Sequence, residues 1–202
     1  MGLAVSDTYS DAARDDVGFM ALLLLLVIMG AARIAELLVA KRLTAKAADR
    51  GEAPKREPMF IVMVILHVLP FVLCPLEVVV FDRPFRPTLF IVSTIALVLL
   101  GLARVWTLKT LGEMWNVRIV APSAVVVSGP YRFIRHPNYA IVITELVFLP
   151  LAHGCWITLG IVTTLNAIVL WSRIGDEEKV LFSRPGYAEA MGHKKRFIPG
   201  IF

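Results

Sequence analysis

The sequence carries too little charge for a soluble protein. Asp, Glu, Lys and Arg together make up 18% of its residues and hydrophobic residues 57%, against the roughly 45–50% apolar share of soluble domains. With a mean hydropathy of +0.73, the chain reads as an integral membrane protein. Cysteine is scarce too. Cys74 and Cys155 each lie inside an apolar run, far from any His/Cys cluster of metal-ligand spacing, so neither a disulfide framework nor a metal site is expected. The amino-terminal stretch lacks the basic region of a secretory signal, because Asp7, Asp11, Asp15 and Asp16 face Arg14 alone. The first apolar run is therefore expected to stay as a membrane anchor. A basic face interleaved with aromatics is also missing, which excludes nucleic acid as a partner. The net charge of +5 comes from short segments between apolar runs, where lipid headgroups and membrane orientation explain it.

What is present is a series of apolar runs. Gly18 to Ala40 exceeds the roughly 20 residues needed to cross a bilayer and is interrupted only by Arg33 and Glu36. Those two residues stand three apart on one helical face, as an ion pair or as the wall of a polar cavity. Residues 41–58, with six Lys/Arg and Gly51, Pro54 and Pro58, read as a cytoplasmic loop. A second run, Met59 to Phe81, contains His67, Pro70, Pro75 and Glu77, and its prolines predict a kink. Glu77 belongs either to the far interface or to a cavity wall. Thr88 to Leu108 supplies a third span, ending in an interfacial belt of Arg104, Trp106 and Lys109. The polar and aromatic stretch Leu111 to Ile119 follows, and the β-branched Val125-Val126-Val127 favours an extended segment. Tyr139 to Trp171 is apolar for 33 residues. That is about 50 Å as one helix, so two helices joined near Leu149-Pro150 and His153-Gly154 are expected. After Arg173 the chain turns polar, with the helix continuing to Phe182.

The expected fold is all-α and integral to the membrane, with about five spans, the last two forming a helical hairpin. Lys and Arg number six, five and six in segments 41–58, 104–138 and 173–202, against one and two in 1–17 and 82–87. The positive-inside rule then places the N-terminus outside and the C-terminus in the cytosol.

Two polar clusters fall on the cytosolic side. One is Gly129-Pro130-Tyr131-Arg132-Phe133-Ile134-Arg135-His136-Pro137-Asn138-Tyr139, in which a Gly-Pro turn and a His-Pro corner restrict the backbone around a compact set of donors. Taken alone it is equally an interfacial turn or one half of a pocket. The other is the helix end Arg173-Ile174-Gly175-Asp176-Glu177-Glu178. Arg173 and Glu177 are four apart on one face there, while Glu178 is rotated by about 100°.

These residues carry a resemblance. The run Val126-Val127-Ser128-Gly129-Pro130-Tyr131, then Arg135-His136-Pro137-x-Tyr139, then Arg173-x-x-x-Glu177-Glu178-x-x-Leu181, and finally Tyr187 with Arg196-Phe197-Ile198-Pro199-Gly200 resembles the isoprenylcysteine carboxyl methyltransferase family. The likeness covers Leu111 to the end. It implies one membrane domain over residues 1–202, in which 1–108 supplies three helices and 109–202 the catalytic half. It further implies an enzyme that takes a methyl group from S-adenosylmethionine (SAM) at a cytosolic pocket and passes it to a lipophilic acceptor in the bilayer. Carried over, the cofactor pocket comprises Asn116, Ser123, Ala124, Val125, Val126, Tyr131, His136, Pro137, Asn138, Tyr139 and Glu177, with Glu178 in place of Glu177 if the register slips by one. Arg135 supports the pocket. Arg173, with Glu177 beside it in the catalytic pair, meets the acceptor.

The acceptor itself stays open. Leu111-Gly112-x-x-Trp115-Asn116-x-Arg118-Ile119, Arg-His-Pro-Asn-Tyr and Leu149-Pro150-Leu151 resemble more closely a small microbial branch associated with type III polyketide synthases. Its members methylate hydroxyls of long-chain alkylpyrones or alkylresorcinols rather than a prenylcysteine carboxylate. A rival of another class is a small transporter using His67 and Glu77.

Overall fold

The computed structural model describes residues 3–51, 57–120 and 124–198, with side chains from residue 13 onward. All regular structure among them is helical. Five helices dominate: α1 (Leu3–Asp49), α2 (Phe60–Val80), α3 (Pro87–Leu111), α4 (Pro137–Leu151) and α5 (Trp156–Phe182), followed by the short α6 (Tyr187–Met191). Single 3₁₀ turns at Gly112–Met114 and Gly129–Arg132 flank the link between α3 and α4.

Four helices are long and apolar enough to cross a membrane, namely α1, α2, α3 and α5. Helix α4 has 15 residues, about 22 Å of helix against a hydrocarbon core of about 30 Å. Four of the five expected spans are thus helices of spanning length, and the fifth is a shorter apolar helix. The break between α4 and α5 falls at Ala152–Cys155, as the apolar run required. Proline starts both α3 (Pro87) and α4 (Pro137), where its missing N–H costs nothing.

One expectation needs correcting. Of the loop expected over residues 41–58, residues 41–49 are helical, because α1 continues to Asp49, while residues 52–56 lie outside the described residues. Lys46 and Arg50 on this extension pair with Glu113 at 2.7 and 3.5 Å. Ala, Lys, Leu and Arg are good helix formers, and with no Gly or Pro before Gly51 nothing stops the helix at the membrane surface. The expected extended segment at Val125–Val127 has no regular secondary structure.

The helices pack as α3 on α4, α4 on α5 and α2 on α5, with α1 against α2. One apolar core lies toward the end of the bundle where α2 meets the start of α5, and there Leu22, Leu25 and Leu26 meet Cys74, Val78, Leu97 and Leu149. A second, of Leu66, Val142, Leu146 and Val162, joins α2, α4 and α5. Both cysteines are free and buried. Large apolar side chains such as Leu24, Val27, Ile28, Ile95, Leu99 and Ile168 are more than half exposed, a lipid-facing surface far larger than a soluble monomer carries.

The end of the bundle where α2 meets the start of α5 is closed by Glu77 and Gly18. Glu77 accepts hydrogen bonds from Ile157 N (3.0 Å), Thr158 N (2.7 Å) and Thr158 Oγ1 (2.8 Å). It thereby satisfies the orphan amides that begin α5, and Arg83 approaches at 2.9 Å. Of the two places expected for Glu77, the structure shows a cavity wall, since it is buried and lines a small cavity of about 150 Å³ with Thr158 and Ile161. Phe85 lies against Gly18 so closely that a Cβ there would stand 2.2 Å from its ring. Asp15 holds Phe85 N at 2.8 Å.

Candidate cofactor and acceptor site

The Gly-Pro turn is where the site begins. Gly129 adopts φ +53°, and a Cβ there would stand 2.4 Å from Thr110 Oγ1. Only glycine fits both the left-handed backbone and the close approach to α3. The chain then reaches His136, whose extended φ of −124° is what a following proline demands. The corner is fastened by main-chain bonds from Arg135 N to Lys195 O (2.9 Å) and from His136 N to Arg196 O (3.0 Å).

Behind this corner lies a buried ionic knot. Glu178 accepts from Arg196 Nε (3.1 Å) and Nη2 (2.6 Å), and Arg135 Nη1 stands 3.4 Å away. His136 Nε2 lies 3.1 Å from the same carboxylate. A carboxylate is an acceptor, so this nitrogen carries a proton and donates it to Glu178. Glu178 thus orients His136 from behind and does not line the cavity. Placing Glu178 at the cofactor through a register slip is therefore not what the geometry offers.

Glu177 does face the cavity. It accepts a short hydrogen bond from Tyr139 Oη. Arg173 Nε donates to Tyr139 Oη at 2.9 Å, so Arg173 and Glu177 are joined through the phenol rather than directly. The remaining guanidinium nitrogens donate to Glu57 and to Val117 O. Glu57, absent from every motif, is buried, and its other oxygen accepts from Ile119 N at 2.6 Å. It ties the loop before α2 to the 116–119 segment and holds Arg173 in place. Asn116 Oδ1 accepts from Arg118 N (3.1 Å) and lies 2.9 Å from Thr44 Oγ1 on the α1 extension. Its amide NH₂ remains available.

A cavity of about 440 Å³ joins these groups, within the range that encloses drug-sized ligands. Of the residues expected from sequence, Asn116, Ala124, Val125, Val126, Tyr131, Arg135, His136, Asn138, Tyr139, Arg173 and Glu177 all line it. Pro137 is buried as the first residue of α4 and does not line it, and Ser123 lies outside the described residues. Tyr187 and Met191 of α6 add to the wall beside the His-Pro corner. Burial, and next the charge of Glu177, raise the phenols of Tyr131 and Tyr187, the latter to about 12. Both are protonated donors at neutral pH. Among the described residues Asn138 Oδ1 is buried without a hydrogen-bond partner, an acceptor in want of a donor.

The cavity also runs inward between the helices, past Val142, Val169 and Leu170 to Gly30, Arg33, Glu36, His67, Phe71, Arg104 and Asn166. Arg33 bonds Glu36 and Glu145, each at 2.7 Å. Arg104 bonds Glu36 at 2.7 Å and stands 3.5 Å from Glu145. Both expectations for Arg33 and Glu36 are met, since they pair and they wall a cavity. Arg104, expected in an interfacial belt, is instead buried in this quartet. His67 and Glu77 do not form a transport pair. They lie ten positions apart on α2, about 15 Å, and Glu77 is consumed by capping α5.

Comparison with known proteins fits this geometry. Residues 91–183 match the model of the isoprenylcysteine carboxyl methyltransferase (ICMT) family. The uncharacterized protein YpbQ of Bacillus subtilis (strain 168) is 32% identical over 161 residues, covering 78% of this chain and 95% of YpbQ. The chain belongs to the isoprenylcysteine carboxyl methyltransferase family. The matched window contains most of α3, all of α4 and α5, and the His-Pro corner between them. A solved structure, the eukaryotic intramembrane Ras methyltransferase ICMT, shares the fold of this family member with a TM-score of 0.56 at 21% identity. The match covers 69% of this chain and 52% of that one, so the chain spans about half the length of the solved enzyme.

Proposed function

We propose that this membrane protein is a SAM-dependent O-methyltransferase acting on a lipophilic acceptor, with its site at the cytosolic face and its N-terminus on the other side. The observation that carries this reading is the single cavity. It gathers the His136–Tyr139 corner, Asn116, Tyr131 and Glu177 around one polar end and extends as an apolar passage between the membrane helices. The residues fit the chemistry of SAM, which presents a carboxylate, an ammonium and ribose hydroxyls. Glu177 and the orphan Asn138 Oδ1 are acceptors for the ammonium or the hydroxyls, while Tyr131, Tyr187 and the Asn116 amide are donors for the carboxylate. When bound, SAM supplies an electrophilic methyl on a sulfonium.

The protein's own part is positioning and exclusion of water. Arg173 is fixed by Tyr139, Glu57 and Val117, so it presents its charge to the acceptor oxygen in one orientation. His136 is locked by Glu178 from behind, which keeps its ring against that of Tyr139 at 5.4 Å between centroids. Val142, Val169 and Leu170 receive the hydrocarbon part of the acceptor and keep bulk water out. The acceptor oxygen is a carboxylate, as in an isoprenylcysteine, or a hydroxyl, as in an alkylresorcinol or alkylpyrone. Short α4 serves as the fifth span by leaning on α3 and α5.

The test is binding of labelled SAM to detergent-purified protein, followed by methyl transfer to a panel containing a prenylcysteine and an alkylresorcinol. Stoichiometric SAM binding and transfer to at least one acceptor are expected. No SAM binding by the folded protein would overturn the reading.

A further inference from the structure

Two polar side chains deep in the cavity have no use in the reaction as described. Asn166 on α5 is only 4% exposed. Among the described residues its amide finds no hydrogen-bond partner, and it opens on the cavity. His67 on α2 lines the same cavity. Its Nδ1–H donates to Met63 O at 2.7 Å, because a carbonyl can only accept, so Nε2 is left as an acceptor with no partner among the described residues.

The two stand at one level. Helices α2 and α5 run antiparallel and are pinned where Glu77 caps Thr158. Ten residues along α2 from Glu77 is about 15 Å, and eight along α5 from Thr158 is about 12 Å. His67 and Asn166 therefore lie within one turn of each other in height, on neighbouring helices that both line the cavity. Asn166 precedes Arg173 by seven residues on the same face, about 10 Å deeper in the membrane, with Val169 and Leu170 between them.

The charge at this level is already balanced. Arg33 and Arg104 are set against Glu36 and Glu145, so nothing there calls for an ion. What is missing is a neutral partner that can both donate to an imidazole nitrogen and meet an amide. A purely hydrocarbon tail lying here would leave a buried amide and an imidazole nitrogen unpaired, and it is the unpaired state that is costly.

Resting on the methyltransferase reading, we infer that His67 and Asn166 form an inner recognition site for a second, uncharged hydrogen-bonding group of the acceptor, a hydroxyl or carbonyl on the membrane side of the oxygen that is methylated. The acceptor is then an oxygenated lipid rather than one whose membrane-facing part is hydrocarbon alone. A site of this kind rejects an analogue lacking the group more strongly than a site built only of apolar walls.

The experiment uses the full chain in detergent, labelled SAM, and two phenols with the same alkyl tail. A 5-alkylresorcinol carries the second ring hydroxyl and a 3-alkylphenol lacks it. Wild type is expected to show a KM about tenfold lower for the resorcinol. Asn166→Leu is expected to erase that difference by raising the resorcinol KM alone, with the SAM Kd unchanged within twofold. Asn166→Ser, which keeps a donor and acceptor, is expected to restore part of the preference, and it carries the test if the leucine variant does not fold. Equal KM values for the two phenols in wild type, or equal loss on both in Asn166→Leu, would overturn the inference. So would wild type that binds SAM and methylates a prenylcysteine but neither phenol. Wild type that binds no SAM would bring down the methyltransferase reading itself, a separable result because SAM binding is read without any acceptor.

Discussion

Glu77 and Glu177 are both glutamates on helices that line the bundle interior, and they lie at opposite ends of it. Glu77 has four partners. Two amides and a hydroxyl of α5 donate to it, and Arg83 neutralises it. Among the described residues Glu177 has one hydrogen-bond partner, Tyr139, and it lines the cavity. A carboxylate whose lone pairs are all taken is a fastening, whereas one left open is free to receive a ligand. The same contrast separates Glu178, fully engaged behind the corner, from its neighbour Glu177. Sequence adjacency told these two apart only by a rotation of about 100°.

Breaking this comparison is most informative where one residue belongs to both classes. Arg173 is fully engaged yet lines the cavity. Arg173→Ala leaves the buried Glu57 carboxylate without its countercharge, so a stability loss of about 3–5 kcal/mol is expected, read as a lower thermal midpoint in detergent, together with loss of methyl transfer. Unchanged transfer would remove Arg173 from the site. Next, Glu77→Ala uncaps α5 and strands Arg83. A loss on the order of 3 kcal/mol is expected from hydrogen bonds to a charged group, while the fraction that stays folded binds SAM with wild-type Kd; a weakened Kd would mean that the Glu77 end of the bundle is coupled to the site.

Glu177→Gln sharpens the comparison from the other side. SAM affinity should fall by about ten- to a hundredfold, 1.4–2.8 kcal/mol, with a thermal midpoint close to wild type in the absence of SAM. A large drop in that midpoint would class Glu177 with the fastenings. The smallest effect belongs to Glu113, exposed and paired with Lys46 and Arg50 across the α1 extension. Surface pairs of this kind contribute little, so Glu113→Ala should leave both midpoint and SAM Kd unchanged, and a measurable shift in either would give the α1 extension a role at the site.

Much of this arrangement is legible in the sequence because it is local. Apolar length located the helices, Leu149-Pro150 and His153-Gly154 located the turn, and the helix did end at Phe182. The His-Pro corner and Glu177 share a cavity as their spacing and resemblance implied. What escaped is what depends on partners distant in the chain. Glu57 sits in an unremarkable polar stretch, and only the fold brings it to Arg173, 116 residues later. Arg104 looked like an interfacial cation because its partners, Glu36 and Glu145, come from two other helices. Glu145 and Asn166, polar positions within apolar runs, were the available signal, since such residues in a membrane span are expensive unless paired or used.

The main-chain bonds from Arg135 and His136 to Lys195 and Arg196 also have a consequence for biosynthesis. The corner is sequestered from water only when a segment made 60 residues later folds back onto it. At about 5–20 residues per second, a ribosome needs roughly 3–12 s to supply that segment. During that interval α4 and α5 are entering the bilayer while the polar corner waits unpaired at its surface. The membrane is thus committed to the helices before the site exists, and a chain halted before Lys195 is inserted but unfinished.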